Sequence, residues 1–429
     1  LKNFYLYIIY INMSFYSGGE IKTRFIDPVN YIPNSRAEFR LDALPVILSN
    51  MRIADLGVTG TAHAHNHYNK LTGSYGLIKN IRLMDGQTEL SSLREVGRYL
   101  GFKNLLLSNS KNESVMKMLN NSSLGYFIDE TGEDTGEQRR TSFTQIDTTS
   151  STTNKGHLDL RGVLPLLNSV RSLNNQLFPK LRLVIEFETI QQKFLNKDNI
   201  ADAETLRPVL IVDEVVDEGV MNNEMKNFPN NVTWLEVEHD SIQIPAVPVT
   251  AGNVKVEQTV SNRVRGFDNK NLQRLVVLKN NSNESKYVNA NVNSGCGNMG
   301  SQAQYQQKIN YVVNGSNILT GSGLDKPASR LAMVCDSWGD LNLVPIESTT
   351  DQEAISNIND ATNIQGKKDY DGVYIGQDIK DLKIDFERVG VRNGGGDETG
   401  EVDAINMNLY GEVMKNIVTK GNEYNVVYA

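Results

Sequence analysis

The sequence predicts an all-β protein built from two antiparallel β-sandwiches in tandem. Three features point there. The chain has 429 residues, too many for one ordinary sandwich and comfortable for two, since domains cluster around roughly 100 to 200 residues. Short β-type runs bounded by Gly, Asn, Asp and Pro recur along it, while long helical periodicity is scarce. The runs form two similar batteries on either side of Asp217 to Asn231, a polar stretch with Gly, Pro and repeated Asn that has linker composition.

Taken in order, the first half predicts strands at Phe39–Leu48, Tyr75–Met84, Leu181–Phe187 and Pro208–Val216. The second half predicts them at Val232–Val237, Lys255–Arg263, Leu275–Leu278, Lys308–Val313, Leu331–Val334, Val373–Ile375, Leu382–Glu387 and Tyr424–Tyr428. Turn residues punctuate them at Asp85-Gly86, Asn314-Gly315 and Lys420-Gly421-Asn422. Two connecting helices are expected. Leu90–Leu100 carries Leu90, Leu93, Val96 and Leu100, and Leu160–Leu173 carries Leu160, Val163, Leu164, Leu167 and Val170, both near the 3.6 period. The expected division is residues 1–24 as an N-terminal arm or upstream extension, 25–225 as the first sandwich and 226–429 as the second.

Composition narrows the function classes. Hydrophobic residues at 39% and charged residues at 22% describe a globular chain with apolar side chains enough for sizeable cores. The formal charge of -8 includes no Lys/Arg-dense stretch, so a basic arm that packages nucleic acid is not expected. Cys296 and Cys335 stand far apart with no CxxC partner, which favours a reducing, intracellular assembly site over a disulfide framework. The apolar run Phe4–Ile11 is shorter than the roughly 20 residues of a spanning helix. Its tyrosines and the absence of a small-residue cleavage site argue against a secretory signal. Met13-Ser14 has the form of a natural start, so the first twelve residues are either upstream sequence or a working arm.

Four motifs invite a chemical reading. His63, His65 and His67 would share one face of an extended strand, a geometry that holds Zn²⁺ with an open position for water. Their neighbours Gly57, Gly60, Asn66 and Asn69 read as a loop with no helper carboxylate, so a surface role is expected; a pH-sensitive interface role is the alternative. Gly295, Gly297 and Gly300 spell GxGxxG, but an Asn-rich loop precedes them and no strand delivers them to a helix. Asp129–Glu133 and Asp397–Glu401 both read Asp-Glu-Thr-Gly-Glu; without the ligand spacing of a Ca²⁺ loop they are solvated acidic turns. No P-loop, nucleophile elbow or zincin helix is present. Catalytic, cofactor-binding and metal-ligating residues are therefore all expected to be none.

Four segments, in this order, resemble the double jelly-roll major capsid proteins of the adenovirus and tailless-phage lineage, most nearly those of virophages, polinton-like viruses and adintoviruses. They are YGLIKNIRLMDGQTELSSL (75–93), LDLRGVLPLLNSVRSLNNQLFPKLRLVIEFET (158–189), KINYVVNGSNILTGSGLDKPASRLAMVCDSW (308–338) and NLYGEVMKNIVTKGNEYNVVY (408–428). In the resemblance they correspond to strand, turn and second element of the first barrel; its helix-then-strand passage; strand, turn and extension of the second barrel; and a closing helix-like stretch with the last strand. The matches are patterns of apolar spacing and turn residues, and their order is the evidence.

The resemblance implies a double jelly roll that forms a homotrimeric, pseudo-hexagonal capsomer of an icosahedral shell around a dsDNA genome. It implies further partners in neighbouring capsomers, penton proteins, minor or cement proteins and a lining layer or internal membrane. It implies a virion location, no cofactor, no sequence-specific nucleic-acid contact and no catalysis. The chain lacks very large tower insertions, so it would be a compact member. Alternatives are a penton or minor capsid protein, and, from another class, a carbohydrate-binding β-sandwich. The latter would want clustered aromatic platforms, yet Trp234 and Trp338 are the sole tryptophans and lie far apart.

Overall fold

The strand-forming runs become two pairs of larger sheets and two small two-stranded ones. The computed structural model describes residues 21–59, 73–107, 119, 155–189, 204–249, 254–281, 306–319, 323, 327–338, 370–392, 400–402 and 404–428. The first half holds β1 (Ile21–Ile26), β2 (Asn30–Ile32), β3 (Arg36–Arg40), β4 (Val46–Leu48), β5 (Arg52–Leu56), β6 (Val58–Thr59) and β7 (Ile78–Asp85). It continues with β8 (Thr88–Arg94), β9 (Gly156–Asp159), β10 (Ser172–Asn174), β11 (Leu181–Phe187), β12 (Glu204–Thr205) and β13 (Val209–Val215). The second half holds β14 (Asn231–Ile244), β15 (Val247–Val249), β16 (Val254–Val264), β17 (Asn271–Asn281), β18 (Gln306–Val313) and β19 (Ser316–Asn317). It ends with β20 (Tyr370–Asp378), β21 (Leu382–Arg392), β22 (Gly400–Val402), β23 (Ile405–Lys420) and β24 (Glu423–Tyr428). Helices α1 (Val96–Leu107), α2 (Leu166–Ser169), α3 (Glu218–Lys226) and α4 (Pro327–Trp338) lie between strands.

Strand order repeats from one half to the other. In the first half β1, β13, β5 and β9 form one run of neighbours and β3, β11, β7 and β8 the other. In the second half the runs are β14, β23, β17, β20 and β16, β21, β18, β19. Counting along the chain only the eight strands of these runs in each half, both halves place the first, eighth, third and sixth in one sheet. The second, seventh, fourth and fifth make the other. Every pairing is antiparallel, and this order is that of a jelly roll, two Greek keys folded face to face.

Local chemistry explains the elements. In β11 the alternate residues Leu181, Leu183, Ile185 and Phe187 are all buried, the period-2 signature of a strand with a core face. The hairpin between β18 and β19 turns on Asn314 (φ 52°) and Gly315 (φ 82°), a left-handed pair whose twist matches the flanking strands. Gly86 (φ 58°) and Gly421 (φ 66°) open the two-residue loops before β8 and β24.

Several expectations are corrected. Leu331–Val334 is not a strand but the middle of α4; Pro327 is preorganised for a first helical position, and Val334 and Trp338, one turn apart, are buried together with Ser337. The helix expected at Leu90–Leu100 is β8 followed by α1, broken at Glu95 (φ 50°). Leu90 to Leu93 are buried on both faces, which erases the alternation that marks a strand. Leu160–Leu173 is a short 3₁₀ turn (Leu160–Gly162), α2 and β10 rather than one helix, interrupted by Gly162 and Pro165. Phe39–Leu48 divides between β3 and β4, which belong to different sheets, with Pro45 at the break. The helix-like C-terminal stretch from Asn408 is β23. Asp217–Asn231 contains α3, capped where Asp217 Oδ1 accepts from the Val220 amide at 2.9 Å. The expected arm overlaps β1, since Ile21 to Arg24 pair with Val215 to Val212.

Two apolar cores result. One fills the first roll and extends to Val232, Trp234, Val276, Val334, Trp338, Tyr410 and Ile417 of the second half; the other fills the second roll around Leu275, Ile309, Phe386 and Val413. Packing there leaves no slack at Gly411 of β23, where an added Cβ would lie 2.6 Å from both Leu272 Cδ1 and Phe267 Cε1. Gly411→Ala is expected to destabilise the protein by about 1–3 kcal/mol through overpacking, read as a lower urea midpoint with unchanged slope.

Candidate functional site

The feature that sets this chain apart from two independent sandwiches is the seam between them. Strands β14 and β23 pair over their full shared register, from Asn231↔Val418 to Ile244↔Ile405. Only the part of β23 up to Val413 is flanked by β17; from Lys415 to Lys420 its neighbour is β24. This extension reaches the first roll. Tyr424 of β24 donates from its hydroxyl to Asp85 Oδ2, at the β7–β8 turn, at 2.8 Å, and its ring packs edge-on to Phe178 at 5.0 Å.

Glu236 is the polar centre of the seam. It sits on β14, wholly buried, and its carboxylate accepts from Ser91 Oγ (3.0 Å) and the Ser92 amide (2.7 Å), both on β8 of the first roll. Trp234 Nε1 donates to its other oxygen. Lys415, itself buried, lies with its Nζ 5.9 Å from the Trp234 ring and 5.5 Å from the Tyr428 ring. Burial pushes the Glu236 carboxyl up to about 7, against the opposing pull of Lys415, Trp234, Ser92 and Ser91.

A second group centres on Trp338 at the end of α4. Arg274 of β17 lies over its ring at 4.3 Å and forks onto Glu412 of β23 at 2.6 and 2.8 Å. The same guanidinium donates to the carbonyls of Ser337 (3.3 Å) and Trp338 (3.1 Å). From the first roll, Phe102 of α1 meets Trp338 edge-on at 5.6 Å. Tyr99 touches both Trp338 (6.4 Å) and Tyr410 (5.4 Å), and the Tyr410 hydroxyl donates to the Glu95 carbonyl at 3.0 Å. His239 stacks on Tyr410 at 4.9 Å; burial holds its imidazole below the usual range, only partly offset by Asn408. Together these groups hold two jelly rolls as one block.

Of the residues singled out in the sequence, His63, His65 and His67, Gly295, Gly297 and Gly300, Cys296 and Asp129–Glu133 lie outside the described residues. Of the second acidic turn Gly400 and Glu401 are described, in β22, which pairs with β15. Among the described residues no group of three or more His, Cys, Asp or Glu can hold a metal ion, and no helix is long and apolar enough to cross a membrane. Sequence reasoning missed Glu236, the Arg274–Glu412 fork, and the Lys279–Asp371 pair, which is fully buried at 2.6 Å inside the second roll. An available signal was charge at strand positions whose neighbours two residues away are apolar, as at Arg274 between Leu272 and Val276 and at Glu412 between Tyr410 and Met414.

Two jelly rolls of one strand order, docked side by side in a single chain, define a double jelly-roll protein. The sequence matches no protein-family model and no curated protein. Solved structures are similar over nearly the whole chain. The PBCV-1 virus capsid superposes with a TM-score of 0.53 at 9% identity, covering 97% of this chain and 99% of that one. The mavirus major capsid protein gives 0.52 at 6% identity over 96% and 90%. The Faustovirus major capsid protein gives 0.51 at 7% identity over 93% and 90%. At such identities the likeness is one of fold.

The seam has a pH signature. Folding or docking that buries Glu236 raises its carboxyl from the ordinary 4.5 to about 7, so the protonated form favours the folded state. Its contribution is fullest below about pH 4.5 and is lost as pH rises through about 7, a span of about 3 kcal/mol at about 1.4 kcal/mol per unit. Denaturation midpoints measured from pH 5 to 8 are expected to fall with rising pH in wild type and to flatten in Glu236→Gln. Parallel curves for the two proteins would show that Glu236 does not titrate there.

Proposed function

We propose that this chain is a structural major capsid protein, a coat subunit of an icosahedral virion, and that it acts by geometry rather than catalysis. The observation that carries this reading is the repeated jelly-roll order, fused into one block by a buried seam. The block matches the fold of capsid proteins across nearly their full length. A single sandwich can serve many functions, whereas two equivalent rolls locked side by side are suited to occupying neighbouring positions in a ring.

In this reading the first roll ends and the second begins between Val215 and Asn231, and three copies set six similar rolls around a threefold axis as a pseudo-hexagonal capsomer. Capsomers then tile a shell around a dsDNA genome. Partners are further copies of the chain, penton and minor or cement proteins, and a lining layer or membrane beneath the shell. The net charge of -8 fits a protein that meets neighbours rather than reading nucleic acid.

Light scattering after size-exclusion chromatography is expected to give the mass of three chains, and electron microscopy of the purified protein to show hexagonal capsomers or closed shells. A stable pentamer would replace the reading with a penton protein. A sugar-dependent hit in a glycan screen would favour the carbohydrate-binding class. Elemental analysis is expected to find zinc far below one equivalent; stoichiometric zinc lost on substitution of His63, His65 and His67 would reopen a metal-dependent role.

A further inference from the structure

An amine and a carboxyl group meet inside the second roll. Lys279 and Asp371 are both fully buried there, on the neighbouring antiparallel strands β17 and β20, where Val277 stands opposite Asp371. Lys279 lies two residues beyond Val277, so its side chain leaves the same face of the sheet and reaches Asp371 on the diagonal. That face is the core face. Val277 belongs to the apolar core of the roll, as does Phe386 of β21 in the facing sheet. Lys279 Nζ lies 2.6 Å from Asp371 Oδ2 and 5.4 Å from the centre of the Phe386 ring.

Both strands are held in place. β17 is paired on one side to β23 and on the other to β20. Helix α4 presses on β20 beside Asp371: a Cβ added at Gly372 would lie 2.9 Å from Ser337 Oγ and 3.1 Å from Val334 Cα. A nucleophile and an acyl group are thus fixed at contact distance in a packed, water-poor interior. Such fixing supplies much of what a catalyst otherwise provides.

We infer that Lys279 and Asp371 condense into an isopeptide bond between β17 and β20. Two desolvated charges are costly even when paired, and burial favours the neutral form of each group. The proton passes from Nζ to the carboxylate along the hydrogen bond, leaving a neutral amine, the nucleophilic form of lysine, and a carboxylic acid. The Nζ lone pair attacks Asp371 Cγ, a proton moves from Nζ to the departing hydroxyl, the C–O bond breaks and one water leaves. An ammonium and a carboxylate become one amide and one water, so no oxidant, reductant or co-reactant takes part. Loss of that water from the core opposes the reverse hydrolysis.

The bond has a structural consequence. β20 ends the order β14, β23, β17, β20, and an end strand is the one that peels first. A covalent tie to β17 joins positions 92 residues apart and restricts the unfolded chain accordingly.

Mass spectrometry of the full chain, purified, incubated and then denatured, tests this inference. Wild type is expected one water lighter than its sequence mass, and Lys279→Arg, whose guanidinium does not condense, at its full sequence mass. Digestion of denatured wild type is expected to release a branched peptide in which Lys279 is joined to Asp371. Wild type at full sequence mass overturns the bond. So does loss of one water without the branched peptide, the signature of a cyclic imide at Asp371-Gly372. The digest needs wild type alone, so it decides the question even where Lys279→Arg does not fold. Neither result bears on the coat-protein reading, which rests on the repeated strand order.

Discussion

The architecture depends on burying the carboxylate of Glu236 between two jelly rolls. A carboxylate taken out of water is tolerated only when donors replace its hydration. Here they come from both sides of the seam, Ser91 and Ser92 from the first roll and Trp234 from the second. Moving the rolls apart or sliding one along the other would leave those donors and the acceptor without their partners. The hydrogen bonds thus give the seam a register, while the apolar side chains around them, Val232, Trp234 and Ile417 on one side and Leu90 and Leu93 on the other, supply most of the attraction.

The Trp338 cluster reinforces that constraint from the opposite flank. Arg274 joins three elements at once, forking onto Glu412 of β23, capping carbonyls at the end of α4 and stacking on its tryptophan. Helix α1 of the first roll then closes over the same ring through Phe102 and Tyr99. Two short helices thus act as wedges between the rolls, which explains why the first core does not stop at the end of the first half but runs into the second.

Much of the strand content was legible beforehand. Leu181–Phe187 is reproduced residue for residue as β11, and Asn314-Gly315 turns where expected, because alternation and left-handed backbone are properties of a few adjacent residues. The errors share a cause. Leu331–Val334 is too short to show a period, and the helical spacing of Leu90, Leu93, Val96 and Leu100 runs straight across the break at Glu95, so in both the local pattern fails to distinguish helix from strand.

By itself, the sequence determined the all-β class, the two batteries of strands and the hairpin turns, since these follow from local spacing and backbone preference. It also carried, in the order of four segments, the resemblance to a double jelly roll. Tertiary structure alone decided which strands are neighbours, which short runs become helices, and where the rolls meet. Ser91 and Glu236 are 145 residues apart, and Arg274 and Glu412 are 138. No local pattern encodes a partner at that distance, so their chemistry exists only once both sandwiches have formed and docked.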